Sequence, residues 1–285
     1  MNIGVFFFTS GESADPAIIA KKAEDLGFAS FWVPEHPVLP VHTTVGYPAA
    51  PDQPIPRTVG IICDPFVALA RASATTTSIQ LGTGICLVPE RNPLLLAKEI
   101  ATLDHYSGGR FLFGIGAGWQ KEECEIMGGD FQHRWTQTRD SVLAMKELWT
   151  TDESEYHGKY YDFPAVKCFP KPAQNPHPPV ILGGSAKNVF KRTVEWGDGW
   201  MPVTTSPDEI RRGRETLNDL ANQSGRDPNS ISITAFGQPG QLRRGDHIQA
   251  LGEAGAAHAV IWLTKSQEAD VISELEELAQ ETLGV

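Results

Sequence analysis

The stretch 79–119 decides the fold of this chain, and it reads IQLGTGICLVPERNPLLLAKEIATLDHYSGGRFLFGIGAGW. Its first ten residues are an apolar run. Pro93 then stands where a helix would begin, because the apolar residues after it return at helical spacing. Ser107-Gly108-Gly109-Arg110 ends that helix, and a second apolar run, 111–115, opens into Gly116-Ala117-Gly118. The stretch predicts a strand, a helix and a parallel strand, with glycines where a planar ligand could approach the backbone.

The same alternation runs along the rest of the chain. Predicted strands occupy residues 2–8, 29–34, 79–88, 111–115, 179–182, 199–203, 230–236 and 257–263. Predicted helices occupy residues 15–26, 64–77, 93–106, 134–149, 185–196, 207–222, 245–252 and 267–283. Eight strand–helix units in 285 residues favour a (β/α)8 TIM barrel that spans 1–285 as a single domain.

One segment, 150–178, is predicted as an excursion after the fourth helix, with a small hairpin that turns near Gly158. A doubly wound open sheet is the alternative architecture if the sixth and seventh strands are misread. In a barrel, active-site residues come from the carboxyl ends of strands. The longest excursions follow the second and fourth strands, so both are expected to overhang that face.

Composition narrows the class of protein. The formal net charge is −11, and no cluster of Lys and Arg is evident, which argues against nucleic acid or an anionic membrane as the main partner. No segment approaches the roughly 18 apolar residues that span a membrane, and the apolar run 3–8 is too short for a signal-peptide core. The four cysteines are scattered singly, which predicts reduced thiols and a cytoplasmic location.

Glu35-His36 follows the predicted second strand. An imidazole at the carboxyl end of a barrel strand can exchange a proton with a bound substrate. The alternative is a loop histidine bonded to a backbone carbonyl. No HExxH motif and no carboxylate cluster at the strand ends is present, so we expect no metal site and no metal-dependent hydrolase.

Gly114, Gly116 and Gly118 recur at every second residue, which would place them on one face of a strand. A face without side chains suits a flat ring or a phosphate. Close packing against a neighbouring element explains the same pattern without any ligand.

Gly183-Gly184-Ser185 lies between the predicted fifth strand and fifth helix. Free N–H groups at a helix start bind phosphate well. Ser185 could contact such an anion, or it could simply cap the helix.

Together these residues resemble the bacterial luciferase-like superfamily and, within it, the actinobacterial branch of probable F420-dependent oxidoreductases. The matching segments follow the family's order from residue 27 to 200: Gly27-Phe28, Phe31-Trp32-Val33-Pro34-Glu35-His36, Leu81-Gly82-Thr83-Gly84, Pro89-Glu90-Arg91-Asn92-Pro93, Ala97-Lys98-Glu99, Thr102-Leu103-Asp104, Ser107-Gly108-Gly109-Arg110, Gly114-Ile115-Gly116-Ala117-Gly118-Trp119, Gly183-Gly184-Ser185 and Gly197-Asp198-Gly199-Trp200.

The resemblance implies a barrel that holds a flavin or deazaflavin at its carboxyl face, with His36 as the proton-handling, catalytic residue. It also implies a non-proline cis peptide at Gly84-Ile85, behind the ring, and a phosphate against residues 116–118 and 183–185. The implied cofactor-binding residues are Glu35, His36, Thr83, Gly84, Ile85, Gly116, Ala117, Gly118, Trp119, Gly183, Gly184 and Ser185.

The preferred function is hydride transfer between F420 and an organic substrate, because the segment 116–135 most resembles that branch. An FMN-dependent monooxygenase is the alternative, and a flavin-binding barrel without catalysis is a third reading. Basic residues at the mouth would favour the polyanionic tail of F420, and Lys187, Arg134 and Arg139 are the candidates.

The loop 38–62 has five prolines and few charges, which suits a fairly apolar small-molecule substrate. The resemblance implies a homodimer that pairs through the second and third helices. Small residues of the second helix, Ala68, Ala70, Ala72 and Ala74, are expected to allow close helix contact there.

Overall fold

The computed structural model describes residues 1–48 and 52–284. Eight parallel strands close into a barrel, which confirms the (β/α)8 architecture. They are β1 (Asn2–Phe6), β2 (Ser30–Val33), β3 (Gln80–Thr83), β5 (Phe111–Gly116), β8 (Val180–Gly183), β9 (Gly199–Met201), β10 (Ser232–Phe236) and β11 (His258–Trp262), and the short strand β4 (Cys86–Leu87) adds to β5.

The barrel closes where its first strand pairs with its last, and the pairing of the successive strands β3 and β5 completes the circle. β1 lies beside β11, with Val5 opposite Ile261, and β3 lies beside β5, with Leu81 opposite Phe111. Every pairing around the barrel is parallel, so all strands end at the same rim.

The helices surround the barrel. They are α1 (Pro16–Asp25), α2 (Pro65–Ser73), α3 (Pro93–Ser107), α4 (Lys121–Ile126), α5 (Arg134–Thr150), α6 (Val189–Trp196), α7 (Pro207–Ser224), α8 (Gly245–Glu253) and α9 (Glu268–Thr282). Several begin as the sequence dictates, with Pro in the first turn and a polar side chain that accepts an amide N–H, as Asp64 does for α2 and Asn92 for α3. Gly108, with φ of 70°, ends α3. None of the described helices is long and apolar enough to cross a membrane.

The excursion contains the expected hairpin. β6 (Ser154–His157) pairs with β7 (Asp162–Val166) in antiparallel fashion, and Gly158 lies at the turn, where its N–H is donated to the Tyr161 carbonyl. The hairpin packs on α5, away from the barrel strands.

Three sequence-based boundaries were wrong. The third strand is not continuous from 79 to 88: β3 ends at Thr83, and a bulge separates it from β4. The acidic segment 121–127, to which no helix was assigned from the sequence, contains α4. The fifth helix begins at Val189, because residues 184–188 remain a loop, so Ser185 is not its N-cap.

The inside of the barrel is filled by large side chains, among them Phe6, Trp32 and Met201. Two glycines make room for them. A Cβ at Gly82 would lie 2.2 Å from the Trp32 ring, and one at Gly114 would lie 2.0 Å from the Thr83 carbonyl oxygen. These glycines let the wall of the barrel close around bulky residues, which form the floor of the site above them.

Candidate active site

A cavity of about 650 Å³ opens at the carboxyl ends of the strands. The candidate residues Glu35, His36, Gly84, Ile85, Gly116, Ala117, Gly118, Trp119, Gly183, Gly184 and Ser185 all line it. Thr83 does not: it is fully buried, and its hydroxyl donates to the Gly114 carbonyl at 2.7 Å. Thr83 therefore joins β3 to β5 behind the cavity.

His36 is held by two neighbours on opposite sides of its ring. Its Nδ1 lies 2.7 Å from a carboxylate oxygen of Glu123, and its Nε2 lies 3.3 Å from the indole Nε1 of Trp119. Indole N–H can only donate, so Nε2 is the acceptor and the ring proton is assigned to Nδ1, facing Glu123. The arrangement leaves the basic nitrogen of a neutral imidazole at the cavity wall.

The fully buried Glu123 belongs to α4, which follows the carboxyl end of β5. Its other oxygen accepts the backbone N–H of Val38 at 3.4 Å. The preceding residue, Glu122, accepts the N–H and the hydroxyl of Thr44. Thus α4 holds both the histidine and the loop that follows β2.

The predicted cofactor-binding Glu35 is engaged within the protein. Its carboxylate accepts the N–H of Leu87 at 2.6 Å and the Nε–H of Arg91 at 2.6 Å. Arg91 also pairs with Asp64 and Glu99. Through these contacts Glu35 fixes β4 and the bulge before it.

The bulge at Gly84-Ile85 contains the non-proline cis peptide, at the step that the family resemblance indicates. Ile85 lines the cavity and packs on the barrel interior. A Cβ at Gly116 would lie 2.0 Å from Cδ1 of Ile85. Of the two explanations for the glycine pattern, close packing accounts for Gly114 against Thr83 and for Gly116 against Ile85, and Gly116 also lines the cavity.

Gly118 and Gly184 differ from those two glycines. Both have positive φ, 77° and 88°, and a Cβ on Gly184 would meet no atom within 4 Å. The N–H groups of residues 185–187 donate to no backbone oxygen in the described parts of the chain. The loop after β8 thus presents unpaired amides and open space at the cavity edge.

The opposite side of the cavity is apolar and aromatic. Phe6, Phe8 and Trp262 form one cluster there, with ring centroids 4.7 Å apart for Phe6 and Trp262 and 6.1 Å apart for the stacked pair Phe8 and Trp262. Val59 and Ile62, from the loop after β2, also line this cavity. This wall offers few hydrogen bonds to a bound molecule.

Two arginines, Arg134 and Arg192, contact residues that line the cavity. The Arg192 guanidinium lies 4.6 Å from the Trp135 ring centre. Burial and then the neighbouring Arg134 lower the pKa of Arg192. The ion pairs among the described residues give neither Arg134 nor Arg192 a carboxylate partner. Arg134 instead donates to the carbonyls of Gly118 and Phe131.

Sequence reasoning missed several residues of this site. Glu123 was part of a short acidic segment, and nothing in the sequence points to a partner 87 residues away. Arg192 lies within the predicted helix 185–196 and was not singled out. Phe8 and Trp262 were read as strand ends, although their positions at the carboxyl ends of barrel strands could have drawn notice.

The comparisons with known proteins agree with this fold. The family model described as luciferase-like monooxygenase matches residues 1–271, and the chain belongs to that family. An uncharacterized protein of Mycobacterium tuberculosis is 37% identical over 289 residues, 98% of each chain. An F420-dependent glucose-6-phosphate dehydrogenase of Amycolatopsis mediterranei is 30% identical over 186 residues, 64% of this chain and 51% of that one. An FMNH2-dependent dimethylsulfone monooxygenase of Pseudomonas putida is 32% identical over 130 residues, 42% of this chain and 36% of that one.

Solved structures share the architecture at lower identity. The monooxygenase RslO1 from Streptomyces bottropensis has a TM-score of 0.76 at 20% identity, covering 100% of this chain and 99% of that one. The coenzyme F420-dependent tetrahydromethanopterin reductase from Methanopyrus kandleri has a TM-score of 0.74 at 19% identity, covering 99% and 98%. These likenesses support the fold, and the family relatives support an oxidoreductase.

Proposed function

We propose that this protein is an F420-dependent oxidoreductase that moves a hydride to or from an apolar organic substrate. The observation that carries the proposal is a pair of guanidinium groups without carboxylate partners, among the described residues, just outside the cavity lining. Arg192 lies over the ring of Trp135, and Arg134 donates to the carbonyl of Gly118; Trp135 and Gly118 both line the cavity. A flavin mononucleotide carries one phosphate, whereas F420 carries a polyanionic tail beyond its phosphate. Two partly buried guanidinium groups suit the longer anion.

The residues present fit such a cofactor. The unpaired amides of residues 185–187 and the open space above Gly184 suit a phosphate, and the exposed Lys187 adds charge on the same loop. Ile85, on its bulge, offers an apolar surface at which a flat ring could rest. When bound, F420 supplies the hydride exchange.

His36 would handle the proton that accompanies the hydride. With its proton on Nδ1, facing Glu123, the imidazole can accept a substrate hydroxyl proton at Nε2. The Glu123 carboxylate would then stabilise the imidazolium. Trp119 would yield its hydrogen bond to Nε2 when the substrate hydroxyl arrives.

The substrate would lie against the aromatic wall. Phe8 and Trp262 stack there, and the nearby loop adds Val59 and Ile62. Polar groups on this side are few, so a substrate with several charges would leave its charges without partners. An alcohol or carbonyl compound with an apolar body fits the arrangement.

The alternative is an FMN-dependent monooxygenase. The similarity to the dimethylsulfone monooxygenase favours it, and the loop at Gly184 alone could hold a single phosphate. A barrel that binds a flavin without catalysis is the third reading, and the paired His36 and Glu123 weigh against it.

The deciding experiment is titration of the purified protein with F420 and with FMN, followed by absorbance or calorimetry. Under the proposal F420 binds tightly, and Arg192→Gln weakens F420 by about tenfold or more, on the order of 1.4 kcal/mol, while the weaker FMN affinity is unchanged. Lys191→Gln is the matched control, because Lys191 is the exposed neighbour and pairs with Glu195. Tight FMN binding that is insensitive to Arg192→Gln would establish the alternative.

We also propose a homodimer that pairs through α2 and α3. The four alanines of the second helix do not share a surface: Ala68 and Ala72 are buried against the barrel, while Ala70 and Ala74 are exposed. Residues two apart point to opposite sides of a helix.

The exposed apolar residues of these helices support the dimer better. Val67 is 70% exposed, Leu95 60% and Tyr106 81%. Large apolar side chains exposed together on adjacent helices are typical of an interface.

A further inference from the structure

Glu90 is a buried carboxyl group for which the proposed mechanism has no use. It lies at the end of the short turn Val88–Glu90 and is 2% exposed. Neither of its side-chain oxygens has a hydrogen-bond partner among the described residues. A Cβ on Gly118 would lie 2.9 Å from one of them, so the carboxyl group lies directly behind the cavity wall.

The groups around Glu90 are mainly acidic. α4 contributes Glu123 and Cys124, and the segment after β2 contributes Glu35. The adjacent Arg91 is the cation that acts on Glu90, but its guanidinium is bound to Glu35, Asp64 and Glu99.

The neighbouring segments add no other partner. α5 contributes Gln137, whose amide reaches the Pro89 carbonyl, and Arg134, which is bound to the Gly118 carbonyl. Gln120, beside Trp119, is fully buried, and its amide also has no partner among the described residues. An ionised carboxylate without a donor or a dedicated cation is costly in such a place.

We propose that Glu90 is a neutral carboxylic acid behind the cavity and that it is a positioning residue: in its neutral form it leaves Glu123 as the one charged carboxylate that acts on His36. With Glu90 neutral, His36 faces the single negative charge of Glu123. A second carboxylate there would increase the proton affinity of the imidazole and weaken its ability to release a proton. The inference rests on the proposed role of His36.

The electrostatics agree with the geometry. Burial, and then the charges of Glu123 and Glu35, raise the pKa of Glu90 to about 9, against the opposing effect of Arg91. Glu90 therefore keeps its proton at neutral pH and loses it in the alkaline range. Because the two carboxyl groups and the histidine interact, they titrate as a coupled set.

Glu90→Gln tests the proposal, because the amide imitates the neutral acid. Nuclear magnetic resonance of the His36 ring, assigned through His36→Asn, would follow its titration in the protein without cofactor. We expect the main midpoint of His36 to be the same in wild type and Glu90→Gln. We expect wild type to show a second deflection in the alkaline range, and Glu90→Gln to lack it. Glu125→Gln, on the exposed side of α4, is the matched control and should retain the deflection.

An ionised Glu90 would give a clearly different result. If Glu90 is ionised at neutral pH, Glu90→Gln removes a charge and lowers the His36 midpoint by about one unit or more. That shift, or the absence of an alkaline deflection in wild type, would overturn the proposal. Infrared spectroscopy of wild type gives a second measurement that needs no variant: a protonated carboxyl band at neutral pH that disappears in the alkaline range. Neither measurement uses F420. A failure to bind F420 would therefore refute the proposed cofactor without changing the result for Glu90.

Discussion

The indole nitrogen of Trp119 lies 3.3 Å from Nε2 of His36, on the side of the ring opposite Glu123. This contact assigns the ring proton to Nδ1, so that under the proposed function Nε2 is the nitrogen that would face a reacting group. The indole occupies the place that a substrate hydroxyl would take. Trp119 and the substrate are therefore expected to compete for the same lone pair.

His36→Ala should lower the turnover rate by about 10²–10⁴-fold, because general acid–base help is typically worth that much. His36→Asn should do the same, since an amide does not exchange protons near neutral pH. Cofactor affinity should stay unchanged in both, as measured by titration. If the variants turn over a verified substrate at the normal rate, another group must transfer the proton. If they lose the cofactor, His36 is a cofactor-binding residue instead.

Gly184→Val should weaken cofactor binding more than tenfold, or roughly 1.4 kcal/mol, because the new side chain enters the open space at the cavity edge. The substitution also strains a residue with φ of 88°. Gly128→Val is the matched control, since Gly128 has φ of 85°, has open space around it and lies outside the cavity lining. Equal affinities of the two variants in calorimetry would place the phosphate elsewhere.

Glu24→Gln should destabilise the protein by on the order of 2 kcal/mol at neutral pH. Burial raises the pKa of Glu24, but hydrogen bonds from Ser78, Ile79 and Thr77 outweigh it and hold the pKa at about 2. The carboxylate therefore stabilises the fold above its ordinary pKa of 4.5, and this contribution fades as pH falls from 4.5 towards 2. Urea unfolding at neutral and acidic pH measures it, and a difference that stays constant with pH would contradict the assignment.

Leu95→Lys should convert the proposed dimer to a monomer at micromolar concentration. Each symmetric interface would contain Leu95 twice, and an apolar side chain contributes about 1.5–3 kcal/mol on burial, so dissociation should increase at least about 100-fold. Sedimentation velocity would detect the change. Ile126→Lys, an equally exposed residue on α4, should leave the assembly intact. A monomeric wild type would refute the dimer.

The sequence predicted the barrel well because its strongest signals are local. Apolar runs, prolines at helix starts and glycines at helix ends each act within a few residues, as at Pro93 and Gly108. The position of His36 at a strand end also came from a local pattern, whereas the cis step at Gly84-Ile85 was implied by the family resemblance.

Features that depend on distant contacts could not be predicted. The pairing of His36 with Glu123 joins the segment after β2 to α4, 87 residues further along the chain. The close neighbour of Gly116 could not be predicted either, because it is Ile85, on a bulge that looked like continuous strand. The start of α6 was predicted wrongly. Ser185 is a residue type that often caps helices, but here it lies in the loop before α6, which begins at Val189.

Two adjacent carboxylates of α4 connect this helix to the loop after β2 and to the histidine that precedes the loop. Glu122 binds Thr44 of the loop after β2, and Glu123 binds His36 at the base of that loop. The loop and the six-residue helix therefore form a single module for protein engineering. A chimera that imports the loop from a relative to change specificity must import the matching helix as well, or its histidine will lose the partner that orients it.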